Sequence, residues 1–269
     1  VFYLTIITCK GIYFALSTFL IDITLPQNFK IMKNIFIAQL TLWKQPLSSL
    51  FLIIIPLIMV SGCSGEKIFV ANFNGNQTGQ PPAHNQEVGV VDIMPPNGNC
   101  IVAKVPDLPS NWVKISRPDN PQVIAGMISN ASVSRGIGKY TFTATLFIPD
   151  DGGVPTIQFE PIHQHPPGLD FFHIDFLKNN KIRVNDSEAN VFGSFPRNQP
   201  FIIQVTLNIT SNNSSADIVL SGANTSGQFH VAGFTGSAFA PQFGSVRFWM
   251  GYPWVGSFYA TNIVLRYQN

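Results

Sequence analysis

The densest set of side chains able to carry chemistry is the run Glu160-Pro161-Ile162-His163-Gln164-His165-Pro166-Pro167-Gly168-Leu169-Asp170, followed closely by His173 and Asp175. His163 and His165 stand at i and i+2, so in an extended segment both imidazoles point to the same side. That spacing suits two metal ligands, with Glu160 or Asp170 adding an oxygen, or an acid and a base for a lyase. Pro166, Pro167 and Gly168 describe an ordinary surface loop equally well, one whose histidines are simply polar, and no third ligand is assigned. On that balance no metal and no cofactor is expected, and His163 and His165 stand only as candidate catalytic residues.

A second group is aromatic. In Phe248-Trp249-Met250-Gly251-Tyr252-Pro253-Trp254-Val255-Gly256-Ser257-Phe258-Tyr259 two strand-like runs meet at a Gly/Pro turn. Flat rings on a rigid loop are a platform for the apolar faces of sugars, which makes Trp249, Tyr252 and Trp254 the candidate binding residues. The plainer alternative is that Trp249 and Phe258 are core and Trp254 caps one end of the domain, in a chain that already holds 23 Phe. Carboxylates are sparse. Beyond residue 63 the only glutamates are Glu66, Glu87, Glu160 and Glu188. Asp170 and Asp175 differ by an odd number, so a regular strand would turn them to opposite faces. Hydrolysis by a carboxylate pair on one strand is therefore disfavoured, while a pair drawn from separate strands stays open.

The elements that must position these residues read as strands. Short runs rich in Phe, Val, Ile and Thr alternate with Gly, Pro, Asn and Asp clusters, the pattern of an antiparallel sandwich or barrel. Strands are predicted over residues 67–73, 87–93, 100–105, 123–129, 139–148, 156–161, 170–177, 181–184, 201–209, 216–220, 228–234, 245–250 and 257–267. In the fifth of these, Tyr140, Phe142, Ala144, Leu146 and Ile148 share one face, and Thr141, Thr143, Thr145 and Phe147 the other. Asn179-Asn180 marks a tight hairpin, because Asn tolerates left-handed backbone. Asp150-Asp151-Gly152-Gly153 marks a turn.

The hairpin Phe172-His173-Ile174-Asp175-Phe176-Leu177-Lys178-Asn179-Asn180-Lys181-Ile182-Arg183-Val184 precedes the long strand at 201–209 and a closing strand ending Asn262-Ile263-Val264-Leu265-Arg266-Tyr267. This order resembles the concanavalin A-like lectin and glucanase jelly roll over most of residues 68–267. The opening Ala71-Asn72-Phe73-Asn74-Gly75-Asn76-Gln77-Thr78-Gly79-Gln80-Pro81-Pro82 is similar to the entry of bacterial exported domains of that type. The resemblance implies an all-β antiparallel β-sandwich and a sugar ligand. It does not extend to the glucanases' acidic triplet Glu-x-Asp-x-x-Glu, which is absent, and the fold serves lectins, hydrolases, lyases and adaptors alike.

Ahead of this domain, Leu57-Ile58-Met59-Val60-Ser61-Gly62-Cys63 ends an uncharged apolar stretch flanked upstream by Lys33 and Lys44. It resembles a bacterial lipobox, which implies cleavage before Cys63 and acylation of its thiol. The expected organisation is a gene-model extension over 1–31, a helical lipoprotein signal segment over 32–62 starting at Met32, and a β-sandwich over 63–269. The apolar run is too short to span a bilayer, and Lys10 and Asp22 argue against a membrane helix nearer the start. A residue other than Asp after the cysteine, here Ser64, implies the outer membrane if the cell is Gram-negative. Residues 64–269 hold twelve Lys+Arg against thirteen Asp+Glu, so no basic surface suggests nucleic acid. Cys100 has no cysteine partner after the anchor and is expected to be a buried thiol. The functional expectation is a lipid-anchored cell-envelope protein, not an enzyme, that binds a polysaccharide or an envelope protein. The alternatives are a polysaccharide-degrading enzyme, either a lyase using His163, His165 or Tyr252 or a glycosidase, and a purely structural lipoprotein.

Overall fold

A computed structural model of the chain describes residues 65–94, 99–133, 135–161, 170–234 and 243–269. The signal segment, Cys63, His163 and His165 lie outside the described residues. Within them are fifteen strands: β1 (Glu66–Ala71), β2 (Val90–Ile93), β3 (Cys100–Lys104), β4 (Asn111–Arg117), β5 (Ala125–Asn130), β6 (Gly138–Phe147), β7 (Thr156–Pro161), β8 (Phe172–Phe176), β9 (Ile182–Val184), β10 (Ser187–Phe192), β11 (Pro200–Ile209), β12 (Ser214–Ser221), β13 (Gln228–Phe234), β14 (Phe243–Met250) and β15 (Gly256–Gln268). They form two antiparallel sheets. One runs β13-β12-β11-β6-β15-β4-β3, with β1 also paired to β15, and the other runs β10-β9-β8-β7-β14-β5-β2. The described residues thus form an all-β sandwich, as their alternation predicts.

The core lies between the sheets and is built of rings. From β6, Tyr140 meets Phe243 of β14 edge-on at 4.9 Å, and Phe142 meets Phe159 of β7 edge-on at 5.3 Å. Phe159 in turn stacks on Phe172 of β8 at 4.6 Å. Such pairs add to the burial energy that holds two sheets face to face. The first sheet has one wet face. Along β11 every second residue is buried and its neighbours are not, because only one side of that strand touches the core. The second sheet differs: all six residues of β7 are buried, polar and apolar alike. That contrast directs attention to its outer face.

Two strands arise where none is predicted, β4 and β10, and for different reasons. In β4, Val113 and Ile115 reach the core but Arg117 also turns inward and is 2 % exposed, which breaks the apolar alternation. In β10, Ser187–Phe192 is an edge strand with no fully buried residue, so it carries little hydrophobic signal. Turn chemistry is as expected: Asn180 has φ +62° between β8 and β9, and Gly153 has φ +62° after β6.

Cys100 is fully buried at the start of β3, and burial pushes its thiol up to about 12. A thiol that stays protonated and covered is a poor nucleophile. Alkylation with peptide mapping should therefore leave Cys100 unmodified in the folded chain and label it only in denaturant; labelling at native pH 8 at a free-thiol rate would refute this.

Candidate functional site

The outer face of the second sheet is assembled by strand register. Inward positions of β7, β8, β9 and β14 are apolar: Ile157 and Phe159, Phe172 and Ile174, Ile182 and Val184, Phe248 and Met250. Alternation sends their neighbours outward, and pairing sets these in rows across the sheet. One row runs Arg183, Asp175, Thr156 and Trp249. The next runs His173, Gln158, Arg247, Ile128 and Asp92. These residues come from segments far apart in sequence, and only the register makes them neighbours.

Most of the polar groups are spent on one another. Thr156 Oγ1 donates to Asp175 Oδ1 at 2.7 Å, while Arg183 Nη2 donates to Asp175 Oδ2 at 3.1 Å and to Asp186 Oδ1 at 2.8 Å. His173 has a carboxylate at each ring nitrogen, Asp170 Oδ2 at 2.9 Å from Nδ1 and Asp186 Oδ2 at 3.2 Å from Nε2. Two acceptors require two donors, which is the imidazolium. Burial alone would favour the neutral ring, but the Asp170 hydrogen bond and the charges of Asp175, Asp170 and Asp186 outweigh it and raise the His173 pKa. Burial likewise opposes ionisation of Asp170, and the hydrogen bond and charge of His173 overcome it, so its carboxyl is held below the ordinary value.

His173, Asp175 and Asp186 offer ligand atoms within 4.8 Å of one another, a set whose composition could hold a metal ion. The set does not fit one as it stands, because the Arg183 guanidinium already lies among these oxygens and supplies their counter-charge. An added cation would have to displace it.

Next along the sheet, Arg247 is 8 % exposed and pairs with Glu160, its Nη2 standing 3.0 Å from Oε1 and 3.1 Å from Oε2. Glu160 is itself 4 % exposed. Desolvation raises its pKa, the Arg247 charge and hydrogen bond oppose this, and with Asp170 adding repulsion the carboxyl comes to about 7.

The aromatic loop closes one side. Trp249 lies on the outer face of β14, and its ring covers Gly251, where an added Cβ would stand 2.5 Å from Cζ3. Tyr252 is 67 % exposed. The loop is anchored from the opposite sheet by Arg117, whose Nη1 donates to the Trp254 carbonyl at 2.6 Å, Nη2 to Asn120 O at 2.6 Å and Nε to Val123 O at 2.7 Å. The same guanidinium sits 5.6 Å from the Tyr252 ring, and Lys178 Nζ lies 5.3 Å from the Trp254 ring.

Together these groups enclose a cavity of about 430 Å³ that Thr156, Gln158, Asp170, His173, Asp175, Arg183, Asp186, Arg247, Trp249, Tyr252 and Trp254 all line. Trp249, Tyr252 and Trp254, one aromatic group in the sequence, line this cavity together. Asp170 and Asp175 share it too, contrary to the expectation that they face apart: β8 begins at Phe172, so Asp170 precedes the strand and its direction is not set by strand alternation. Arg247, Gln158 and Arg183 are residues that a search for chemistry along single segments passes over. Their signal was present in the polar alternation of strands whose other face is apolar.

No protein-family model matches the sequence, and no curated protein does. Among solved structures the chain is similar to a Trypanosoma rangeli sialidase in complex with 2,3-difluorosialic acid, at a TM-score of 0.50 and 15% identity over 78% of this chain and 32% of that one. It is also similar to lectin UEA-II complexed with galactose, at a TM-score of 0.43 and 8% identity over 71% of this chain and 97% of that one. Arcelin-5, a lectin-like defence protein from Phaseolus vulgaris, matches at a TM-score of 0.44 and 9% identity over 77% and 99%. The chain spans about a third of the length of the sialidase chain. At these identities the likeness concerns the sandwich alone.

Proposed function

We propose that this is a lipid-anchored cell-envelope protein that binds a glycan on the outer face of its second sheet. One observation carries the reading: a cavity of about 430 Å³ in which carboxylates, two guanidiniums, an imidazole and an amide lie beside Trp249, Tyr252 and Trp254. Sugars present apolar CH faces and hydroxyls that both donate and accept, and such a mixed lining answers both. Asp170, Asp175 and Asp186 accept from hydroxyls, while Gln158 and Arg247 donate. The loop needs little ordering on binding, because Arg117 already fixes it.

The test is retention of the chain on a panel of immobilised polysaccharides in native gels. Trp254→Ala and Tyr252→Ala should each weaken retention about tenfold, the loss expected when an aromatic contact is removed from a binding site. Equal retention of both variants would reject the loop as part of the site. For the anchor, acyl labelling should mark the chain and vanish in Cys63→Ser, and an unlabelled wild type would remove the envelope half of the proposal.

A second reading, a polysaccharide-degrading enzyme on the same face, is favoured by Glu160, whose pKa of about 7 suits proton transfer at neutral pH. It requires turnover of a retained polymer that is lost in Glu160→Gln; a polymer bound but never shortened decides for binding alone.

A further inference from the structure

Among the described residues, the cavity's buried hydrogen-bond donors without partners lie on one strand, β14. Trp249 Nε1 and Arg247 Nε are both buried without a hydrogen-bond partner among those residues. Arg247 gives one nitrogen, Nη2, to both Glu160 oxygens and leaves Nη1 unused as well. Gln158, directly opposite Arg247 in the ladder, has an amide with no partner among the described residues. Buried polar groups are nearly always paired, so two buried donors without partners on outward positions of one strand, with Arg247 Nη1 and the Gln158 amide as further donors beside them, mark a position that a ligand's acceptor satisfies.

The charges sharpen this. Arg183 and His173 are each held by two or more carboxylates, so their charge is already spent. Arg247 has Glu160 as its one ion pair among the described residues, with the charge of Asp170 acting on it only from farther off, and burial drives the Glu160 carboxyl toward its neutral form near pH 7. Arg247 is therefore the cation in this cavity least compensated by the protein itself. Neutral sugar hydroxyls would satisfy one donor each and bring hydrogens of their own. A carboxylate brings acceptors only, with the planar geometry a guanidinium fits, and the charge that Arg247 lacks.

We propose that Arg247, Trp249 and Gln158 form the seat for the carboxylate of an acidic sugar, so that the glycan bound here contains uronic acid units. The proposal rests on the glycan-binding reading and adds the ligand's chemical class. The acids across the cavity, Asp170, Asp175 and Asp186, then face hydroxyls of the same or adjoining units, while Tyr252 and Trp254 take the ring faces.

The experiment is affinity electrophoresis of the full chain in gels containing polygalacturonate, alginate or hyaluronan, each beside its carboxyl-reduced form. The chain should be retained by at least one uronate polymer and at least tenfold less by the reduced form of the same polymer. Trp249→Phe keeps an aromatic ring but removes the N–H together with part of the indole; it should weaken uronate retention about tenfold more than it weakens retention by the reduced polymer, tenfold being the worth of one hydrogen bond to a charged group. Arg247→Gln should do the same more strongly, and the Phe variant remains informative if the Gln variant does not fold. Equal retention by a polymer and its reduced form overturns the carboxylate seat while leaving glycan binding intact. Unchanged uronate retention in Trp249→Phe also overturns it. No retention on any polymer, acidic or reduced, overturns both readings.

Discussion

Arg117→Met is expected to lower the stability of the domain by about 3 kcal/mol or more and, with it, to abolish polysaccharide retention. The guanidinium is 2 % exposed and donates to three carbonyls, those of Asn120, Val123 and Trp254. No carboxylate stands within ion-pair distance of it among the described residues, so these carbonyl dipoles and the Tyr252 ring supply its compensation. Methionine fills much of the volume and donates nothing. Each carbonyl deprived of this charged donor costs about 1–3 kcal/mol, toward the low end for part-buried groups such as these, and three are at stake. For a domain of this size the loss should appear as a fall in Tm of about 6–12 °C. Lysine keeps the charge but cannot present the guanidinium fork to three acceptors, so Arg117→Lys should fall between the two. A methionine variant that melts within 2 °C of wild type would show that the three carbonyls find other donors. A variant that melts low yet still binds polysaccharide would separate Arg117 from the site, because the loop bearing Tyr252 and Trp254 would then hold its shape unaided.

That dependence crosses from one sheet to the other, and it marks where the sequence is readable and where it is not. The strand at β6 was legible because each of Tyr140, Phe142, Ala144 and Leu146 is buried and each intervening residue is not. β4 was illegible for the converse reason. Arg117 breaks its apolar pattern, and the buried cation is tolerable only because of carbonyls from loops at 118–123 and 251–254 that no local pattern reveals. The same holds for the cavity. The aromatic loop could be read as a candidate platform from three rings around a Gly/Pro turn. Asp170, His173 and Asp175 could be read as a polar cluster along one segment, but the Gln158 amide and the guanidiniums that join them could not, because Gln158, His173 and Arg247 meet across three strands. Register is fixed by the whole inner face packing at once, so a row across a sheet is a tertiary property even when each member's facing is local.

Wild-type stability should fall as pH rises from about 4.5 to 7, by about 3 kcal/mol, and Glu160→Gln should remove that fall. The ordinary value of the carboxyl is 4.5 and its folded value about 7, with desolvation the leading cause and Arg247 opposing it. Between these values the folded protein keeps a proton that the unfolded chain has released. The folded state then binds more protons, so unfolding becomes easier with rising pH, and above pH 7 the loss levels off. His173 acts in the same direction in a higher window. Its folded pKa is raised above 6.5, so its contribution is complete below 6.5 and is lost as pH rises through the folded value. Asp170 has the opposite sign: its folded pKa lies below 3.8, so its contribution is present above that value and is lost in stronger acid. Urea unfolding at half-unit steps from pH 3 to 9 resolves the three windows, and Glu160→Gln should flatten only the middle one. Glutamine is the near-isostere of the protonated acid and leaves Arg247 in the state it already occupies at pH 5. A Gln variant with the wild-type slope between 4.5 and 7 would assign that slope to another group and return Glu160 to an ordinary ion pair with Arg247. That result would also withdraw the support Glu160 gives to acid–base chemistry on this face, since a carboxyl ionised throughout the neutral range has no proton to give.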